Sequence, residues 1–406
     1  MNLKQLGILI AVMLVIGGAV MTMHKHQESS WTGGGAEVGK KLLGDKFPFN
    51  DVAHISIKHG TNELNLVKKD DLWRVRERAN YPANFSQISE FLVKASELKI
   101  VQIEEIGPSQ LARMELAPGQ GSNSAVVVEM TDLAEKPIST LLLGKKHLKK
   151  SPTPSLSEGE EGGFPDGRYV AVGTNTHQVA LISDALETVD ANPDQWLNKD
   201  FIHVEKPKTI EVDFPVATNS WHLARETESG DWKLANTNAG EELDSSKVSG
   251  VTSPFSSPTF TSVQPGGKLD ESGTNKPTVV KVDTFDDFHY TIHVGAKTND
   301  DYFVTVSVTG IPPTARPTGT TKEEPDDKAL LDKRFKDLQQ KFTDKLKQEQ
   351  SCEQWTYLVP SWTVDSLLKE RSQLLAEKKT EPETKGATEK TGETTEMPPL
   401  TPLPKN

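Results

Sequence analysis

One cysteine, Cys352, stands in 406 residues, which excludes an internal disulfide and any thiolate metal cluster. Aromatic residues are scarce at 6%, so each tryptophan serves as a packing marker. Basic charge is in deficit, with 46 Lys and Arg against 58 Asp and Glu and a formal charge of −12. Nucleic-acid phosphates demand cationic faces, so no nucleic-acid partner is expected. The usual reaction signatures are missing too. There is no G-x-S-x-G elbow, no Gly-rich phosphate loop ending in Lys-Ser/Thr and no G-x-G-x-x-G. The sequence therefore offers no catalytic residue, no metal ligand set and no cofactor.

What it does contain begins at the amino terminus. After a short flank, residues 1–5, residues 6–23 read LGILIAVMLVIGGAVMTM without a charge, close to the roughly 20 residues that cross a hydrocarbon core as a helix. An uncleaved anchor in inner-membrane lipid is expected. A cleaved signal peptide ending near Gly17 and Ala19 is the competing reading, but the apolar run continues through Val20, Met21 and Met23. No lipobox cysteine follows, which excludes a lipoprotein. Lys4 before the run and Lys25 after it leave the orientation open.

A spacer at 24–50 leads to a first module at 51–203. Alternating apolar residues at Val52 to Ile57, Leu64 to Val67 and Trp73 to Val75 predict a β-meander. Asn84 is placed to cap a helix carrying Phe85, Ile88, Phe91, Leu92, Ala95 and Leu98. Further strands are expected near 100–103, 125–130, 140–143, 169–172 and 179–182. A second module at 204–311 repeats this order. Trp232 echoes Trp73 at an offset of 159, Gly295 echoes Gly144 at 151, and Tyr302 echoes Tyr169 at 133. A polar insert, Ser151 to Gly163, accounts for the drift. The fold class expected is α+β, with two similar modules of mainly antiparallel sheet, each carrying a packed helix, plus an N-terminal transmembrane helix. Both tryptophans are read as core pins.

Past a Pro/Thr/Glu linker at 312–325, a helical C-terminal segment is expected at 326–375. Leu331, Phe335, Leu338, Phe342 and Leu346 form one stripe, Trp355 to Val359 read as a short strand, and Ser361 or Thr363 opens a last helix through Leu375. Residues 376–406 are Thr, Glu, Lys and Pro, the composition of a disordered tail. Trp355, Tyr357 and Trp362 form the candidate partner-binding patch, since aromatics concentrate at interface centres; intramolecular packing is the alternative. His289 and His293 are four apart on a strand and so about 13 Å from each other, too far to share an ion. Cys352 lacks a basic neighbour and reads as structural.

The hairpin VAHISIKHGTNELNLVKKDDLWRV, the segment YPANFSQISEFLVKASELKI, STLLLGKK, GRYVAVG and ALISDALETVDANPDQWLNKDFI together resemble the bacterial domain of unknown function 4340 family. The resemblance runs over most of residues 51–201 and more faintly over the second copy. It implies a single N-terminal span and a largely β body outside the inner membrane, in the periplasm, among proteins discussed with gliding-type ABC transporters. It brings no assigned active site. The expected function is a non-enzymatic anchored protein that binds or scaffolds a membrane complex such as an ABC-type transporter. A periplasmic glycan- or peptide-acting enzyme and a cell-wall polymer or ligand-binding module stay open as alternatives.

Overall fold

The computed structural model describes residues 37–117, 119, 121, 124–150, 163–173, 178–238, 241–266, 276–316 and 325–376. The apolar run at 6–23, most of the insert after Lys150 and the tail from 377 lie outside them. No helix among the described residues is long and apolar enough to cross a membrane.

Two antiparallel sheets carry the body, and few helices accompany them. The first has nine strands: β1 (His54–His59), β2 (Asn62–Lys69), β3 (Leu72–Val75), β4 (Tyr81–Pro82), β5 (Ile100–Glu105), β6 (Val126–Thr131), β7 (Pro137–Lys150), β8 (Gly163–Val172) and β9 (Gln178–Ile182). Their order across the sheet is β4-β3-β2-β1-β6-β7-β8-β9-β5. Alternation does the folding work: Val126, Val128 and Met130 of β6 point inward while Val127 and Glu129 stay outside. Helix α1 (Phe85–Glu97) lays Ile88, Phe91, Leu92 and Ala95 into the core, and the Asn84 side chain accepts from the Gln87 N–H at 3.2 Å.

The second sheet has eight strands: β10 (Pro207–Asp213), β11 (Trp221–Ala224), β12 (Lys233–Leu234), β13 (Ser262–Pro265), β14 (Thr278–Thr284), β15 (Phe288–Thr298), β16 (Asp301–Gly310) and β17 (Trp355–Pro360). Their order is β12-β11-β10-β14-β15-β16-β17-β13. With β4 set aside, this is the first order strand for strand, β17 standing in the place of β9. The register agrees. Leu66 faces Ile55 and Val75, as Leu223 faces Ile210 and Leu234, which superposes Trp73 on Trp232 at the predicted offset. Both sheets slip register directly after Leu143 and Val294, each followed by the matching glycine.

Two expectations need correction. Val170 faces Leu143 and Val304 faces Val294, so the offset there is 134 and Tyr169 corresponds to Phe303. A shift of one residue exchanges the two faces of a strand, so Tyr169 and Tyr302 are not equivalent. The last helix is also not continuous: α4 (Ser361–Val364) and α5 (Arg371–Leu374) are single turns, and no side chain caps α4. Between them the Lys369 carbonyl accepts from the Trp221 indole at 2.7 Å, which holds the chain out of helix.

The second copy therefore reaches well past residue 311. Its last two strands, β16 and β17, are separated by a long excursion that includes helix α3 (Pro325–Gln350), where the first copy has the short stretch between β8 and β9. The copies even close alike. Asn84 N–H donates to Trp196 O (2.8 Å) and Asn198 N–H to Pro82 O (2.9 Å); Asp244 N–H donates to Leu374 O and Ala376 N–H to Glu242 O, both at 2.9 Å. Each copy fastens its end to the entrance of its own helix, the second of which, α2 (Ser245–Val248), is only one turn.

Candidate functional site

The aromatic candidates fall on two sides of the surface. Trp355 and Tyr357 are buried, and Trp362 is 68% exposed on α4. The patch of three is thus not assembled. Successive even-step positions of β17 put Trp355 and Tyr357 on one face, and that face is turned toward the first copy. Tyr81 of β4 meets the Trp355 ring at 5.0 Å, the Phe260 ring at 6.0 Å and the Tyr357 ring at 6.4 Å, all edge to face. Phe201 packs on Tyr357 at 4.4 Å and on Phe260 at 5.5 Å. Five rings thereby fuse the two sheets through one continuous core.

A polar latch lies beside them. Arg78, in the turn after β3, donates two hydrogen bonds to Asp194 at 2.7 and 2.6 Å, and Ser262 of β13 donates to the same carboxylate at 2.6 Å. The bidentate contact raises the Arg78 pKa. Lys199 donates to Phe260 O at 3.2 Å and sits 4.6 Å over the Phe260 ring, with its pKa lowered by burial. The Tyr357 hydroxyl is enclosed beside the Tyr81 hydroxyl and the Cys352 thiol without a hydrogen bond of normal geometry to either. Burial raises the pKa of all three groups. Cys352 is structural in its surroundings, walled in next to the junction.

A second buried cluster ties α3 to the segment that joins the copies. Glu349 is almost fully enclosed. It accepts from the His203 backbone N–H at 2.8 Å and from the Tyr290 hydroxyl at 2.9 Å, with Lys345 Nζ at 3.9 Å. Burial raises the pKa of both Glu349 and Tyr290. No spacing rule foretells this cluster, because its members are 59 and 146 residues apart.

The remaining features are superficial. A depression of about 620 Å³ is lined by Asp51, Asp70, Asp71, Asp132 and Lys68 in the turns at one end of the first sheet. A second, of about 590 Å³, lies between Leu42, Phe47, Pro48, Ile138 and Val172. No group of three potential metal ligands converges among the described residues. His289 Nδ1 donates to the Asp283 carboxylate at 2.7 Å, and His293 faces Val279 further along the same strand pair. Of the tryptophans read as core pins, Trp73 is buried and Trp232 is half-buried under the Arg225 guanidinium at 4.8 Å. Sequence reasoning missed Arg78, Tyr81 and Glu349.

Against known proteins, the family model described as "Domain of unknown function (DUF4340)" matches residues 73–277, about half of the chain. The match opens at Trp73 on β3 and ends just before β14, so it crosses the junction between the copies. No curated protein and no solved structure matches.

Proposed function

Because this chain belongs to the domain of unknown function 4340 family, we propose that it is a non-enzymatic scaffold of the bacterial cell envelope. Residues 6–23 hold it in the inner membrane as a single pass, and the two-copy body stands in the periplasm and binds a membrane-protein complex. An ABC-type transporter is the first partner to test. The observation that carries this reading is the junction. Five rings and a three-way Asp194 latch join the two sheets through one continuous core, and the Glu349 cluster holds the segment between them against α3. A single small-ligand pocket does not need two sheets set at a fixed angle. A scaffold does, because it must present distant surfaces in constant register.

The test is crosslinking in intact membranes, detergent extraction of the full chain and identification of what is retained. Enrichment of transporter subunits over a control carrying residues 1–50 alone is the expected result. Retention of no membrane protein above that control overturns the reading. So does turnover of a glycan or peptide that disappears when one carboxylate of the Asp51/Asp70/Asp71/Asp132 depression is neutralised.

A further inference from the structure

The internal repeat separates what the fold needs from what has been added to it. The first copy makes the step from Val172 of β8 to Gln178 of β9 in a stretch too short for such a helix, so α3 is not required to make the sheet. Only the carboxyl-terminal part of α3 is used for docking: Phe342 stacks on Phe288 at 4.2 Å, Glu349 is buried and Leu346 is partly covered. Toward its amino terminus the helix leaves the body. One flank there is covered by the chain after β16, where Gln339 donates to Pro313 O at 2.7 Å and Arg316 pairs with Asp332 at 3.1 Å. The other flank is open. Leu330 and Leu338 are 49% and 53% exposed on it.

Leu330, Arg334 and Leu338 form one i, i+4, i+8 ridge, with Arg334 midway in height and in angle between the leucines. That placement is self-complementary. A second α3 laid antiparallel across the ridge, with the two-fold axis through Arg334, sets Leu330 on the partner copy's Leu338 and the reverse. It also brings each Arg334 within about 4.5 Å, along the axis, of the Asp337 of the other copy. Arg334 and Asp337 form no ion pair of their own among the described residues, so both are available. The two guanidiniums near the axis repel, and the two crossed carboxylates offset this.

We propose that α3 is a homodimerisation helix and that a second copy of this chain occupies its open flank through an isologous, antiparallel contact centred on Arg334. The patch is a few turns long and small beside a stable dimer interface. The association is therefore weak in dilute solution and strengthened where both copies are confined to one membrane. The inference is independent of the scaffold reading, since a dimer forms whether or not a transporter binds.

The test is oxidative crosslinking of the full chain in membranes and in detergent. Cys352 is buried and stays silent. Arg334→Cys lies on the axis and is expected to give a covalent dimer at least tenfold above Leu330→Cys or Leu338→Cys alone, whose sulfurs would stand about 12 Å apart along the helix. Mixing Leu330→Cys with Leu338→Cys chains should restore the adduct. Adding Leu338→Asp to Arg334→Cys should abolish it, and because Leu338 is exposed the fold survives, as checked by continued protection of Cys352 from alkylation. The proposal is overturned if Arg334→Cys gives no dimer, if the single leucine variants crosslink equally well, if Leu338→Asp has no effect, or if the adduct contains a different protein.

Discussion

Replacing Tyr81 with Ala isolates what the junction does. Tyr81 belongs to the first copy, and three of its ring contacts are to Phe260, Trp355 and Tyr357 of the second. It is nearly fully buried, so truncation leaves a cavity that neighbours on two rigid sheets cannot close. Large aromatic truncations of this kind cost about 3–5 kcal/mol. At roughly 2–4 °C per kcal/mol for a unit of this size, the expected fall in Tm is about 6–20 °C. The decisive readout is the shape of the transition. With the junction intact the body should unfold in one step when followed by tryptophan fluorescence and by far-ultraviolet circular dichroism. In the variant the two probes should separate, because Trp73 and Trp196 report the first copy, and Trp221, Trp232 and Trp355 the second. Coincident transitions with a shift below about 1 kcal/mol would refute the view that these rings couple the sheets.

Glu349→Ala should cost about 2–4 kcal/mol, because the His203 N–H loses its buried acceptor and the Tyr290 hydroxyl is left with the longer contact to His203 O at 3.3 Å. The same carboxyl has its pKa raised by burial. Its contribution to stability is therefore greatest at low pH and declines as pH rises from 4.5 through the higher folded value, and Glu349→Gln should flatten that segment of a denaturation series against pH. Glu241 behaves in the opposite sense. Its pairing with Arg371 at 2.8 Å, helped by two hydrogen bonds from Asn238, lowers its pKa to about 2, so stability present above pH 4.5 is lost on acidification toward 2, and Arg371→Ala should reduce that loss in acid-unfolding curves. Cys352 is buried with its thiol pKa raised; iodoacetamide should modify it only at the rate of unfolding, and Tyr81→Ala should accelerate that labelling.

Much of this fold was legible from alternation and spacing. The Asn84 cap, the meander before it and the pairing of Trp73 with Trp232 all rest on local chemistry that survives in the sheet register. The misplaced Tyr302 shows where letters mislead: two tyrosines in similar strands suggested equivalence, and only the cross-strand partners of Val170 and Val304 fix the frame. The membership of β17 in the second sheet was hidden for a different reason. Sequence distance from β16 grows with every inserted residue, whereas hydrogen-bonding distance does not, so a strand beyond a 26-residue helix looks like an appendage. Trp355 and Tyr357 carried no mark of their direction, since an aromatic strand face suits a core and a docking surface equally. The Arg78 and Glu349 contacts were illegible because nothing local encodes them.

The way each copy fastens its last residues beside the start of its own helix has a genetic corollary. A unit that closes on itself in this way can be doubled or fused in tandem without rerouting any strand. The two closures at Trp196 and Leu374 thus mark the ends of the doubled unit, and the helix lodged between β16 and β17 marks a loop where such a unit accepts foreign sequence while its sheet stays closed.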